Sequence, residues 1–145
     1  MHMPYRFIEE EATADVAFYA WNPGLPAIFL DAADAVMAVM IENLEAIEPR
    51  EVRQIDLRNG QLDLLLFNFL EQVLYYKDSE QLLVRMKAAS VTRSVEHWEV
   101  QATALGERLD PMRHHQMVDV KAVTLHHFSL TEDGDGWRAH VILDI

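Results

Sequence analysis

Two stretches of the chain carry apolar residues at the spacing of an α-helix. In residues 26–42 the apolar positions recur three and four residues apart, at Ile28, Phe29, Ala32, Val36, Val39 and Met40. Pro26 suits the first turn of this helix, where a backbone N–H would have no intrahelical acceptor. Residues 62–76 are apolar on most sides, which predicts a second helix that is buried against a sheet or a partner.

Runs of alternating or β-branched residues predict strands before, between and after these helices. The predicted strands are residues 5–9, 14–21, 52–58, 82–92, 96–104, 118–131 and 137–145. The sequence Asn22-Pro23-Gly24 closes the second strand with a turn, and the Asp-Gly-Asp-Gly sequence of residues 133–136 predicts a hairpin between the last two strands. Residues 106–117, centred on Asp110-Pro111, are expected to be irregular.

This order of elements predicts an α+β fold, with two helices packed on a mostly antiparallel β-sheet. In residues 98–104 apolar and polar side chains alternate, which indicates a sheet with one face in water. The 145 residues suffice for one normal hydrophobic core, and no repeat or linker divides them. We therefore expect residues 1–145 to form a single compact domain.

Composition and charge narrow the classes of function. The formal net charge of −12 argues against autonomous nucleic-acid binding and fits a protein that meets a basic partner or holds cations, although solubility alone could also explain it. The absence of cysteine removes disulfides, thiolate metal sites and cysteine nucleophiles. No apolar run is long enough for a signal peptide or a membrane span, so we expect a cytoplasmic protein with no membrane partner.

The last predicted strand carries the clearest candidate chemistry. Alternation places Trp137, Ala139, Val141, Leu143 and Ile145 on its core face. The α-carboxylate of Ile145 then lies near the Asp144 side chain at the strand tip. Two anionic groups so close together need a cation, an array of donors or open water. The simpler interpretation is a solvated chain end with a harmless aspartate.

Two further residues are candidates for the same site. Asp15 stands at the mouth of the second predicted strand, although aspartate is disfavoured inside strands; it could equally bond its own loop. Lys121 lies on the predicted strand that pairs with the last one, where it shares a face with Asp119. A lysine there could neutralise a carboxylate cluster or contact a phosphate, and the alternative is an ordinary exposed lysine.

Motifs for other chemistries are missing from the sequence. The adjacent pairs His114-His115 and His126-His127 should point to opposite faces of a strand, and no H-x-x-x-H or H-E-x-x-H occurs, so zinc is not expected. A G-x-S-x-G elbow and the glycine-rich phosphate loops are also absent. We therefore assign no catalytic residues.

Five segments in order resemble the archease family. They are residues 3–9 with Thr13-Ala14-Asp15-Val16, residues 64–70, residues 106–111, residues 120–126 and residues 137–145. Each segment alone is weakly specific, but five in register over nearly the whole chain are specific. The resemblance implies a small α+β domain that serves as a non-catalytic protein cofactor of the RNA ligase RtcB. Such a cofactor promotes guanylylation and multiple turnover of the ligase in tRNA splicing and RNA repair.

The resemblance also implies site residues. Asp15, Asp144 and the terminal residue Ile145 match the family's metal ligands, for which calcium is the expected ion and magnesium or manganese are alternatives. Lys121 matches a position linked to ligase activation. Three converging carboxylates would repel one another, and a hard, oxygen-preferring cation resolves that repulsion. The expected partner is an RtcB-type ligase, without direct nucleic-acid binding by this chain.

One departure from the family pattern concerns the shell around this site. Ala12 stands where the family usually has a histidine, and the preceding run Glu9-Glu10-Glu11 is about two residues longer. We expect weaker metal binding or a changed contact with the partner, unless Glu10 or Glu11 substitutes. Two rival functions stay open: an acidic chaperone or binding module for other partners, and a small metal-dependent phosphoesterase that uses the same carboxylates.

Overall fold

The computed structural model describes residues 4–8 and 15–145, and its elements follow the order that the hydrophobic pattern predicts. The two helices are α1 (Leu25–Met40) and α2 (Leu62–Glu80). The strands are β1 (Tyr5–Ile8), β2 (Asp15–Asn22), β3 (Glu51–Asn59), β4 (Leu82–Arg93), β5 (Trp98–Arg108), β6 (Ala122–Asp133) and β7 (Gly136–Asp144). A short 3₁₀ helix, Leu44–Ala46, lies between α1 and β3.

The strands form two antiparallel sheets. One sheet has the order β1-β2-β7-β6 and the other has the order β3-β5-β4. Each helix contacts strands of both sheets, α1 mainly β4 and β2, and α2 mainly β6 and β4. One hydrophobic core joins all of them. The α+β class, the two helices, the antiparallel pairing and the single compact domain are confirmed, and the strands are divided between two sheets.

The two helices bury broad apolar faces because each is covered by strands from two sides. In α1 the fully buried residues include Ile28, Phe29, Val36 and Met37. The Phe29 ring meets Phe69 of α2 edge to face, with centroids 5.5 Å apart. Helix α2 continues four residues beyond the predicted end, because the polar sequence of residues 77–80 hides the helix from an apolar pattern.

Two predicted boundaries are wrong in the C-terminal half. Strand β5 continues to Arg108, so residues 106–108 are not irregular. Gly106 allows this, since a Cβ there would lie 2.0 Å from the Leu83 carbonyl oxygen. Strand β6 begins at Ala122, not at residue 118. The N–H of Val118 instead bonds the Val39 carbonyl of α1, so the chain at Val118 is held by a helix and joins the sheet only farther on.

The alternation predicted for the last strand is confirmed. Ala139, Val141 and Leu143 are fully buried, whereas Arg138 is exposed. The hairpin turn also lies where it was predicted, because β6 ends at Asp133 and β7 begins at Gly136. Among the described residues, no helix combines the length and apolar character that crossing a membrane requires.

The pairing of β6 with β7 is interrupted between Thr124 and Ser129. At this bulge His127 has a left-handed backbone, with φ of 53°. The His126 and His127 rings consequently lie 4.1 Å apart, between centroids. The prediction that these two neighbours point to opposite faces is therefore wrong, because the strand is irregular at this point.

Candidate functional site

Asp15 and Asp144 face each other across the two central strands of the four-stranded sheet. They are direct partners in the antiparallel register of β2 and β7. Side chains of directly opposed residues share a face and have Cβ atoms about 4.5–5.5 Å apart. Both residues are only half-buried, so water and ions can reach them. Two carboxylates from opposite ends of the sequence are thus neighbours at one end of the sheet.

Ile145 follows Asp144 directly and packs on the core as a partly buried residue. This placement agrees with the inward side chain that alternation predicts. We call this end of the four-stranded sheet, which contains Asp15, Asp144 and Ile145, the carboxylate end. Among residues 4–8 and 15–145, no three His, Cys, Asp or Glu side chains cluster in a way that suits a metal ion.

Lys121 lies beside the carboxylate end, but not in the strand that the sequence predicts. It precedes the first residue of β6, Ala122, which pairs with Asp144. The backbone N–H of Lys121 donates a hydrogen bond of 2.8 Å to the carbonyl oxygen of Asp144. Its side chain is exposed and forms no ion pair within the described ranges. The backbone of Lys121 is fixed, and its ammonium group remains available.

Lys77, near the end of α2, fixes the segment that leads to Lys121. Its Nζ lies 2.6 Å from Asp119 Oδ1 and donates a 2.9 Å hydrogen bond to the Val120 carbonyl. Burial lowers the pKa of Lys77, but hydrogen bonds to Asp119 and Asp78 outweigh this and leave the pKa raised. Nothing in the sequence marks Lys77 as a residue of the site. A lysine in the last turn of a helix is ordinary, and only the tertiary contact distinguishes it.

A buried ionic cluster anchors the start of the same connection. Glu107 and His114 are the two buried polar residues of the described chain, 4% and 1% exposed. The Asp110 N–H donates to His114 Nδ1, so Nε2 carries the proton and donates to Glu107 across 2.6 Å. Arg113 pairs with the same carboxylate.

This cluster has a structural role. Burial raises the pKa of Glu107, yet hydrogen bonds from the Glu48 backbone, His114 and Arg113 prevail and lower it to about 2. Both ring nitrogens of His114 already have hydrogen-bond partners within the protein, which leaves His114 no position for a ligand. His115 is exposed and lies 2.5 Å from Glu42. The segment 107–121 is therefore held at two points before it reaches the carboxylate end. The cluster holds it at Glu107, and Lys77 holds it at Asp119 and Val120.

Comparison with known protein families shows which family contains this chain. The model of the Archease protein family (MTH1598/TM1083) matches residues 5–145. The chain belongs to the archease family. Residues 9–14, which include Ala12 and the run Glu9-Glu10-Glu11, lie outside the described residues, so the expected effect of the missing histidine stays a prediction.

Curated relatives agree with this assignment over their full length. The protein archease of Pyrococcus abyssi is 33% identical over 141 residues, covering 97% of this chain and 99% of the relative. The protein archease of Methanopyrus kandleri is 32% identical over 143 residues, covering 99% of this chain and 100% of the relative. The archease domain accounts for the whole length of both relatives.

Solved structures show the same fold. The solution structure of protein 1598 from Methanobacterium thermoautotrophicum superposes with a TM-score of 0.84 at 27% identity, covering 98% of this chain and 99% of that one. The crystal structure of an archease described as a possible chaperone, TM1083 from Thermotoga maritima, gives a TM-score of 0.59 at 18% identity, covering 100% and 99%. The second likeness supports the fold alone.

Proposed function

We propose that this archease activates an RtcB-type RNA ligase without catalysing a reaction itself. In this proposal it promotes guanylylation of the ligase and thereby supports multiple turnover in tRNA splicing or RNA repair. The observation that carries the proposal is the pairing of Asp15 with Asp144 beside Lys121 at one accessible end of the sheet. A carboxylate pair with a neighbouring free lysine suits a contact with both a cation and an anionic reaction centre.

The donor chemistry of the carboxylate end fits a divalent cation. Asp15, Asp144 and the α-carboxylate of Ile145 would supply oxygen ligands only, which suits calcium and also admits magnesium or manganese. Opposed like charges on neighbouring strands destabilise a sheet, and a bound cation removes that repulsion. When bound, the ion supplies a fixed positive charge at the tip of an acidic protein.

The neighbouring residues would then position this charge for the partner. The hydrogen bond from the Lys121 N–H to the Asp144 carbonyl holds the start of β6 against the end of β7. Because its side chain is exposed, Lys121 can reach a partner's phosphate or nucleotide without leaving this backbone position. A cation and an ammonium group would therefore approach the guanylylation centre together.

Single-turnover guanylylation of the cognate ligase, with and without this protein, tests the proposal. The expected result is a faster guanylylation step that depends on calcium, magnesium or manganese in the titration. If the α-carboxylate of Ile145 is a metal ligand, one residue added after Ile145 should abolish the acceleration of guanylylation. An unchanged rate with the unmodified protein at every metal concentration would refute the activator function.

A second candidate function is chaperoning of other proteins. It is favoured by exposed apolar side chains on the connection between β5 and β6, namely Met112, Met117 and Val118, which are 92%, 58% and 43% exposed. The archease of Thermotoga maritima is itself described as a possible chaperone. Suppression of the aggregation of unrelated unfolded proteins, lost in Met117→Ser, would support this function. If the protein suppressed aggregation of the ligase but not of unrelated proteins, this result would count against a chaperone function.

A further inference from the structure

A groove lies at the opposite end of the four-stranded sheet from the carboxylate end. It measures about 520 Å³, which is within the size range of small-ligand sites. Its lining includes Arg6, Tyr19, Asp133, Asp135 and Arg138. Arg138 and Asp144 are six residues apart on β7, which places them about 20 Å from each other. The groove and the carboxylate end are therefore separate places on one sheet.

Two arginines and a tyrosine form a connected set on the outer face of this sheet. Arg6 of β1 is the direct partner of Tyr19 on β2. The guanidinium of Arg138 lies 5.8 Å from the centroid of the Tyr19 ring. The Tyr19 side chain is 38% exposed. Neither arginine forms an ion pair with a carboxylate in the ranges 4–8 and 15–145, so both can bind an anionic ligand.

The opposite rim of the groove is acidic. Asp133 and Asp135 belong to the hairpin between β6 and β7, and both are exposed. One oxygen of Asp133 accepts the N–H of Asp135 at 2.8 Å, and the remaining oxygens face solvent as acceptors. A ligand that complements the whole groove therefore has an anionic group at one end, a flat apolar body, and hydroxyl or amino donors at the other end.

A ribonucleotide unit has this combination of groups. Its phosphate suits the two arginines, because guanidinium groups bind phosphate oxygens in a bidentate manner. Its base suits an exposed aromatic ring, and base stacking is the usual way in which sheets hold single-stranded RNA. Its 2′-hydroxyl can donate to a carboxylate. The carboxylates of an acidic peptide would pair with the arginines, but such a peptide has no base to stack on the Tyr19 ring.

We propose that the groove between Arg6, Tyr19 and Arg138 binds single-stranded RNA. This inference goes beyond the proposed activation of a ligase and does not rest on it. The net charge of −12 repels a polyanion, which is why charge alone predicts no nucleic-acid binding. The groove is a local exception, so binding should be weak at physiological salt and should strengthen at low salt.

Fluorescence anisotropy of a labelled, 5′-phosphorylated RNA hexamer at low salt tests the proposal with the intact protein. Tyr19→Leu should weaken binding by about 5-fold or more, the cost of one lost stacking contact. Arg138→Gln should weaken it as well, and should reduce the slope of log affinity against log salt by about 0.7 for the lost phosphate contact. A change of slope is not expected from a merely structural effect.

The chain offers a matched control on the other sheet. Arg93 lies 5.3 Å from the centroid of the Trp98 ring, so Arg93→Gln removes a comparable cation–aromatic pair and the same charge. This variant should bind RNA as the unmodified protein does. The proposal is overturned if the RNA hexamer does not bind at low salt, if Arg93→Gln weakens binding as much as Arg138→Gln, or if an acidic peptide or a DNA hexamer of the same sequence competes as well as unlabelled RNA.

Discussion

Asp15 and Asp144 are direct cross-strand partners, although the sequence separates them by almost the whole chain. Two like charges in such a position disfavour pairing of β2 with β7 by about 0.2–1 kcal/mol relative to a neutral pair. The strands nevertheless meet because Phe18, Val141 and Leu143 are fully buried beside the pair. The core thus holds two carboxylates together that would separate on their own.

This relationship gives a prediction whose sign distinguishes a metal site from an ordinary surface pair. In the presence of chelator, Asp144→Asn should be as stable as the unmodified protein or slightly more stable, since a repulsion is removed. With calcium at about 100 times its dissociation constant, the unmodified protein should gain about 2.7 kcal/mol in the free energy of unfolding, and the variant should not. Urea denaturation with and without calcium measures both. A calcium effect that survives in Asp144→Asn would contradict the assignment.

Lys77 should matter for activation although it lies away from the carboxylate end. Lys77→Met leaves the Val120 carbonyl without its donor and releases Asp119, which should cost about 1–3 kcal/mol of stability. Because the released segment carries Lys121, acceleration of guanylylation should fall as well. Lys77→Arg can restore a donor and should recover part of both losses. If Lys77→Met loses stability but activates fully, Lys77 stabilises the fold alone.

Glu107 should make stability depend on acidity in a defined range. Its pKa of about 2 in the folded protein lies below the ordinary value of 4.5, so the folded state favours the ionised form. The resulting stabilisation is complete above pH 4.5 and is lost as the pH falls toward 2. Glu107→Gln should remove this part of the pH dependence. It should also cost about 1–3 kcal/mol, because the buried His114 and the Arg113 guanidinium lose the carboxylate that they share. Thermal unfolding between pH 7 and 2 measures both effects.

Gly106 should be intolerant of any side chain. An added Cβ would lie 2.0 Å from the Leu83 carbonyl oxygen, so β4 and β5 would have to separate. We expect Gly106→Ala to cost about 3 kcal/mol or to prevent folding, as overpacking at backbone contacts does. Gly134→Ala is the matched control, since nothing lies within 4 Å of its added Cβ. Similar denaturation midpoints for the two variants would refute this account.

Periodicity predicts those features that depend on one strand or helix at a time. It identifies both helices, the last hairpin and the inward face of β7, because burial of apolar residues controls each of them. The same pattern fails at Gly106 and at residues 118–121. There the conformation is determined by close contact with Leu83 and by hydrogen bonds to α1, α2 and the end of β7, and none of these contacts has a local signal.

The candidate site shows the same division. Alternation alone predicts that the side chain of Ile145 turns inward beside Asp144. Pairing of Asp15 with Asp144 needs the register of two strands that are far apart in sequence; the family resemblance grouped the two residues as expected metal ligands but did not predict that register. Lys77 and Glu107 have no recognisable motif. Their roles depend on tertiary contacts with Asp119 and His114, which composition and spacing do not encode.

The most direct test of the central claim compares two substitutions in the single-turnover guanylylation assay. Asp144→Asn alters the carboxylate end, and Asp56→Asn removes the same charge from an exposed position on the other sheet. The account predicts that Asp56→Asn accelerates guanylylation of the ligase as the unmodified protein does, whereas Asp144→Asn loses the acceleration while remaining folded. Equal acceleration by both variants would contradict the claim that the carboxylates at this end of the sheet carry the function.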